Sequence, residues 1–492
     1  MATNPYFTQY HTQKFSFIGS PQQRDGGYTK DQRFLNVYPE LIKSPISDGK
    51  KYYLKKRPGT SLFQNFNNVN ALGQGIFYWG ANLTYYTAVG GVLYQNGTPL
   101  FNLSTASGTV GFAEFRGTGQ PFLIVVDGTK GWTIGTNNTF VQITDPNFPS
   151  PHVPSPIFLD GYIFLAGAGS PRIYNSNLLD PNTWPTDGFI DAEMYPDIIA
   201  TLTKSLNYLV AVGTESIEFF YDNANATGSP LQRNAPAVSQ FGTPAPQTVA
   251  QTEKEIILVG QTGSGGRTVW IIEGFQPTEI AQEPQREALD NEGANIINAG
   301  GFVIQCAGHK WYVLNLQSAN RTLVYDFDEQ MWHEWSYSSS AQERFNYGWA
   351  ADGGFGRPIL LAYGGGYSVA LDPNIFTDVT NASPTDLINC QVTTVKIDFD
   401  TIKRKRFYRL SLIADNPLSV INSDAGTPIT VQWSDDDYNT WSPAISLVIN
   451  ASYPTIKQMG ISRRRAFLFT YRQPWPLRME AFEVDIIQEV RR

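Results

Sequence analysis

One pattern recurs along the chain. A short apolar strand, a Gly-containing turn, a second apolar strand usually rich in aromatics and a polar loop follow one another. It reads LTYYTAVGGVLYQ from Leu83, FLIVVDGTKGWTI from Phe122, YIFLAGAGSPRIYN from Tyr162 and YLVAVGTESIEFFYD from Tyr208. It returns as EIILVGQTGSGGRTVWIIE from Glu255, KWYVLNLQSANRTLVYD from Lys310 and PILLAYGGGYSVALD from Pro358. One anchor per repeat, at Tyr85, Leu123, Ile163, Leu209, Ile257, Tyr312 and Leu360, gives steps of 38, 40, 46, 48, 55 and 48 residues. Propeller blades of four strands repeat at about 40–50 residues. Hairpins of a sandwich would be spaced more tightly, at about 8–12 residues per strand.

A twisted four-stranded sheet cannot bury both faces by itself. Radial packing around an axis buries face against face and leaves only short edges. The repeats therefore predict an all-β chain whose residues 67–375 form a β-propeller of six or seven blades. Composition agrees. Only 16% of residues are charged, 13% are aromatic, and glycine (43) and proline (31) are plentiful, as short strands with tight turns require.

Residues 1–66 read as an N-terminal extension that supplies an edge strand or closes the last blade. A Pro- and Asp-rich stretch from Leu371 to Pro384 reads as a linker. Beyond it, period-two alternation in Thr394–Phe399, Tyr408–Ile413, Ile429–Trp433, Arg465–Tyr471 and Met479–Ile486 predicts a C-terminal antiparallel β-sandwich-like domain over 388–492. Charge divides the same way. Residues 388–492 carry 14 Lys and Arg against 11 Asp and Glu, a net of +3, so the remainder carries −11 of the total −8. An acidic chain is not one that coats nucleic acid.

Catalytic signatures are missing. There is no Walker A loop, no nucleophile elbow and no HExxH, since His333-Glu334 runs on into Trp335-Ser336-Tyr337. The four histidines, His11, His152, His309 and His333, are scattered, and Cys306 and Cys390 form no metal or disulfide framework. No catalytic residue, cofactor or metal is expected. Ser434-Asp435-Asp436-Asp437-Tyr438-Asn439-Thr440-Trp441 resembles the Asp-box turn of sialidase-type propellers, with Tyr438 in place of the glycine. A weak Ca²⁺ site on the three aspartates is the alternative to a solvated acidic turn. Two basic clusters, Lys403-Arg404-Lys405-Arg406 and Arg463-Arg464-Arg465, are candidate contacts to DNA phosphates or to an acidic neighbour, against the plainer reading of solvated strand edges. The run of four is expected to project from a hairpin end. The first residues lack the basic and apolar regions of a signal peptide, and no apolar run approaches the ~18 residues of a membrane helix.

Asn36-Val37-Tyr38-Pro39-Glu40, Arg57-Pro58-Gly59, the run Leu209–Phe220, Leu323-Val324-Tyr325-Asp326 with Trp332, and the stretch Arg463–Ile486 together resemble the packaged-DNA stabilisation, or tail hub (nozzle), proteins of short-tailed bacteriophages. The resemblance implies a virion protein made in the host cytoplasm. It would form a homohexameric ring below the portal and its adaptor ring, extend the DNA channel, and retain the genome until ejection. Such a ring would anchor needle, spike or fibre proteins and pass double-stranded DNA without reading its sequence. It implies no enzyme and no membrane insertion. The competing expectation is a glycan-binding or sialidase-like propeller, which requires converging carboxylates on the axis.

Overall fold

The computed structural model describes residues 11–18, 32–42, 51–117, 119–337, 343–352, 357–379, 385–415, 427–449 and 453–488. The reading of the N-terminus at 1–10 and the end of the expected linker at 380–384 lie outside them. The chain is all-β and divides into two compact units. One draws on Met1–Thr60, Val324–Glu343 and Pro373–Arg492, the other on Ser61–Leu323 and Arg344–Asp372.

The larger unit is a β-propeller of seven blades. Blade 1 is the antiparallel sheet Gly73–Trp79, Thr84–Val89, Val92–Gln95 and Thr98–Asn102. Blade 2 (Gly111–Gln142), blade 3 (Ile157–Asp191) and blade 4 (Ile199–Ser239) repeat that order, and blade 5 runs from Phe241 to Glu279. The hairpin Gly300–Cys306 and His309–Leu316 begins blade 6. Blade 7 joins Tyr347–Ala351, Ile359–Ala362 and Tyr367–Asp372 to Gly59–Asn65, a strand from far earlier in the chain. The N-terminal segment thus closes the last blade. All seven sequence anchors lie on the second strand of a blade.

The ring closes through first strands. Gly73–Trp79 touches Gly111–Phe115, which touches Ile157–Leu159, then Ile199–Ser205, Ala250–Gln251, Gly300–Cys306 and Tyr347–Ala351, which returns to Gly73–Trp79. The apolar runs follow from this geometry. In Phe122–Val126, Leu123 and Val125 pack towards blade 1, and Ile124 and Val126 towards blade 3. In Tyr208–Gly213, Leu209 and Ala211 face blade 3 while Val210 and Val212 face blade 5. A strand buried on both faces cannot alternate with polar residues, so it reads as one continuous apolar run.

The smaller unit stacks two sheets. One has the order Val37–Ile42, Lys51–Lys56, Arg478–Gln488, Lys405–Ala414 and Thr455–Lys457, with His11–Ser16 also paired to Arg478–Gln488. The other contains Arg33–Leu35, Cys390–Thr393, Ala466–Tyr471, Thr427–Ser434 and Ile445–Ile449. Their inner faces share one core, in which Phe467 and Phe469 of one sheet meet Phe482 of the other at 5.8 and 5.6 Å between ring centroids. The strand expected at Thr394–Phe399 is reduced to an isolated bridge, Ile397 with Arg465. Phe399 and Asp400 both have φ of 55° and turn the chain out of the sheet.

Candidate interaction surfaces

Two segments that carry the sequence resemblance, Asn36–Glu40 and Arg57–Gly59, meet in the smaller unit. Asn36 has φ of 56°, a conformation asparagine tolerates better than most residues. Its side chain donates to Ser336 Oγ (2.7 Å) and to the Asn389 carbonyl (2.8 Å). The guanidinium of Arg57, fully buried, donates through Nε to Asn36 Oδ1 (2.8 Å), through Nη2 to the Ser336 carbonyl (3.0 Å), and through both terminal nitrogens to the Asp378 carboxylate. A buried cation persists only when its charge and donors are met. Asp378 could not be singled out from sequence, because nothing in its neighbourhood marks it as the partner of a residue 321 positions earlier.

Beside this clasp, burial lowers the Lys56 ammonium to about 8. It donates to the Gln473 carbonyl (2.6 Å) and lies 5.5 Å from the centroid of the Tyr471 ring.

The Asp-box turn forms as its sequence predicts. Asp436 accepts from the Thr440 backbone N–H (2.9 Å), Thr440 Oγ1 (2.6 Å) and Ser434 Oγ (2.9 Å), and Ser434 Oγ accepts from the Tyr438 N–H (2.9 Å). Asp437 and Tyr438 take φ of 61° and 65°. The hydrogen bonds from Thr440, chiefly its hydroxyl, hold the Asp436 carboxyl down at about 2. Asp435 instead meets Arg465, and Asp437 meets Arg464 and Lys396. The three carboxylates point at different partners, and no cluster of metal-ligating atoms forms on them among the described residues.

The two basic clusters come together. Strand Lys405–Ala414 pairs with Ile461–Ser462, in the register Lys405 to Ser462 and Arg406 to Ile461. The run of four does not project as a whole, because Lys405 and Arg406 already belong to the strand. Lys405 is buried and donates to the carbonyls of Thr401 (2.5 Å) and Lys403 (2.9 Å). Arg465 is buried too. It makes a bidentate pair with Asp435 at 2.7 Å, donates to the Met459 carbonyl (2.8 Å) and lies 4.3 Å from the Phe407 ring centroid. These two cations therefore leave the expected contact set: their donors are engaged inside the unit. Lys403, Arg404, Arg406, Arg463 and Arg464 are exposed.

The propeller axis holds a cavity of about 660 Å³. Ile76, Thr109, Ser155, Thr201, Gln247, Gln251, Phe302 and Trp349 help to line it, and no acidic, basic or histidine residue is among the described lining. Glycosidic cleavage by paired carboxylates has no acid or base there. Among the described residues no helix is long and apolar enough to cross a membrane.

Residues 17–351 match the family model of phage stabilisation proteins described as bacteriophage P22 Gp10, beta-propeller. The chain belongs to this family. As a phage stabilisation protein it is a component of virions, and its propeller is the fold the family description names. No curated protein matches its sequence. Among solved structures, a streptogramin B lyase shares 13% identity at a TM-score of 0.43, over 64% of this chain and 97% of the other. YCF48 from Cyanidioschyzon merolae shares 9% at 0.38, over 64% and 99%. A puromycin-hydrolysing peptidase of Mycobacterium tuberculosis shares 8% at 0.36, over 68% and 61%. Likenesses this distant carry no chemistry to the stabilisation protein.

Proposed function

We propose that this phage stabilisation protein is a non-enzymatic tail hub, or nozzle, subunit. In this reading six copies form a ring below the portal and its adaptor. The ring extends the DNA channel, retains the packaged genome until ejection, and anchors needle, spike or fibre proteins. The protein is made in the host cytoplasm, and double-stranded DNA passes through its ring without sequence readout. Family membership carries the reading.

Two features of the chain support it. A cavity of about 660 Å³ has the size of a small-molecule pocket. It does not admit a duplex, so a DNA conduit has to be framed by several chains around a shared axis. The net −11 outside residues 388–492 also suits a conduit. A strongly basic wall would hold DNA with steep salt dependence and slow its exit.

The test uses DNA-filled heads of the same phage made without this protein. Adding the purified chain is expected to protect the genome from leakage and nuclease, and particle images are expected to show a six-fold ring below the adaptor. Unchanged leakage with no added density would overturn the reading. The uncharged cavity, with Trp349 and the amides of Gln247 and Gln251, favours neutral-glycan binding as the second reading. Saturable binding of neutral oligosaccharides, abolished by Gln251→Ala, would support it.

A further inference from the structure

Two buried cations in the smaller unit act as a frame for exposed ones. Lys405 ties down the turn before its strand through the carbonyls of Thr401 and Lys403, and Arg465 ties down the segment after Ile461–Ser462 through Asp435 and the Met459 carbonyl. The ladder between the two strands places the segments side by side. Lys403, Arg404, Arg406 and Arg463 are left exposed, with no ion pair among the described residues. Asp398 and Asp400, both exposed, are the nearby acids in sequence, and Arg464 and Lys396 are already held by Asp437. Ile402, 84% exposed, and Ile461, 40% exposed, lie within this basic tip.

The propeller carries a surface of the opposite kind. Residues 191–197, DAEMYPD, hold three acids and no base. Arg172 neutralises Asp191 at 2.8 Å, and Asp197 accepts from the backbone N–H groups of Glu215 and Ser216. Glu193 and Glu215 are exposed with no ion pair among the described residues. Met194 and Ile198 beside them are 46% and 45% exposed. Ile198 adjoins the turn that carries Glu215, since the Thr214 N–H donates to the Ile198 carbonyl (3.1 Å).

We propose that the basic tip built on Lys403, Arg404, Arg406 and Arg463 docks on the acidic surface around Glu193 and Glu215 of a second copy of this chain. Charge and apolar content match on the two sides, and the chain outside 388–492 is itself the acidic partner at net −11. The two patches differ, so the contact is heterologous and can propagate into a ring. It rests on the oligomeric part of the proposed function and not on its DNA part.

The experiment is charge reversal with rescue by mixing, read by sedimentation of the purified full-length chain at low and high salt. Wild type is expected to self-associate, more weakly at high salt. K403E/R404E/R406E/R463E and E193K/E215K are each expected to weaken association about tenfold or more, as reversal of complementary charge does. Every altered residue is exposed, and unchanged thermal melts would verify that both variants fold. Mixed in equal amounts, the two variants regain complementary surfaces at every contact and are expected to associate again. Association of either variant as strong as wild type would overturn this surface while leaving the ring intact. A wild type that stays monomeric at every concentration would overturn this contact, while ring formation on the adaptor is read separately in the particle images. Mixing without rescue, together with tip-dependent binding of a DNA duplex by wild type, would assign the tip to phosphate instead.

Discussion

The two units solve the burial of a β-sheet in opposite ways, and the difference governs where charge can sit. A propeller strand such as Phe122–Val126 has both faces against neighbouring blades, and its last four residues are buried without a break. A sandwich strand such as Lys405–Ala414 has one face in the core and one at the surface. Such doubly covered propeller runs, as at 123–126 and 209–212, hold no charged residue. The sandwich unit carries cations in and beside its strands, and burial decides their role residue by residue: Lys405 and Arg465 go inside, while Arg406 and Arg464 stay out.

The sharpest challenge to this contrast is the clasp of the sandwich unit. Asp378→Ala leaves the Arg57 guanidinium buried without its counter-charge and is expected to destabilise that unit by about 3–5 kcal/mol. A urea titration that reports each unit separately checks it, and a loss within experimental error would show that the buried pair contributes no more than an exposed one. Leu123→Ala opens a void between blades 1 and 2 and is expected to destabilise the propeller by about 2–5 kcal/mol, with little change in the sandwich unit.

Lys56 makes the sandwich unit sensitive to pH. Its ammonium titrates near 8 in the folded chain against about 10.4 in an unfolded one. Between those values the unfolded chain binds more protons, so the stability of the sandwich unit should rise with pH, by something on the order of 1–3 kcal/mol. The rise should vanish in Lys56→Met. A slope that persists in this variant would assign the effect to another group.

The smallest effect belongs to the Asp-box turn. Asp436 is held at about 2, below the unfolded value of about 3.9. The stability it lends is present above the unfolded value and should be lost as pH falls through the folded one. Nuclear magnetic resonance of the Thr440 amide should show this loss of protection below about pH 3 in the wild type, and at all pH values in Asp436→Ala.

Much of the fold was legible because a blade leaves a local mark. Leu209-Val210-Ala211-Val212 is apolar at every position because each face of the strand packs on another blade, and the spacing of such runs sets the repeat. The closing strand Gly59–Asn65 was legible only as one of two options, since its partner Tyr367–Asp372 lies some 300 residues away in sequence. The Asp-box turn was legible because all its bonds fall within Ser434–Thr440.

The seven candidate cations show where sequence ran out. Four adjacent basic residues look alike along a chain, and which one turns inward depends on the pleat and on what covers it. Lys405 is enclosed and Arg406 is not because successive side chains on a strand point to opposite faces. Arg465 finds Asp435 only because Ala466–Tyr471 lies beside Thr427–Ser434.

The all-β class, the repeat and the division of charge follow from local sequence, since periodicity and composition are properties of neighbours along the chain. Tertiary structure alone decided that blade 7 is completed from residue 59 onward, that Arg57 meets Asp378, and that two basic clusters some 60 residues apart form one tip. Those are pairings at long range, fixed by sheet register and by the need of buried charge for a partner, and neither is written in local pattern.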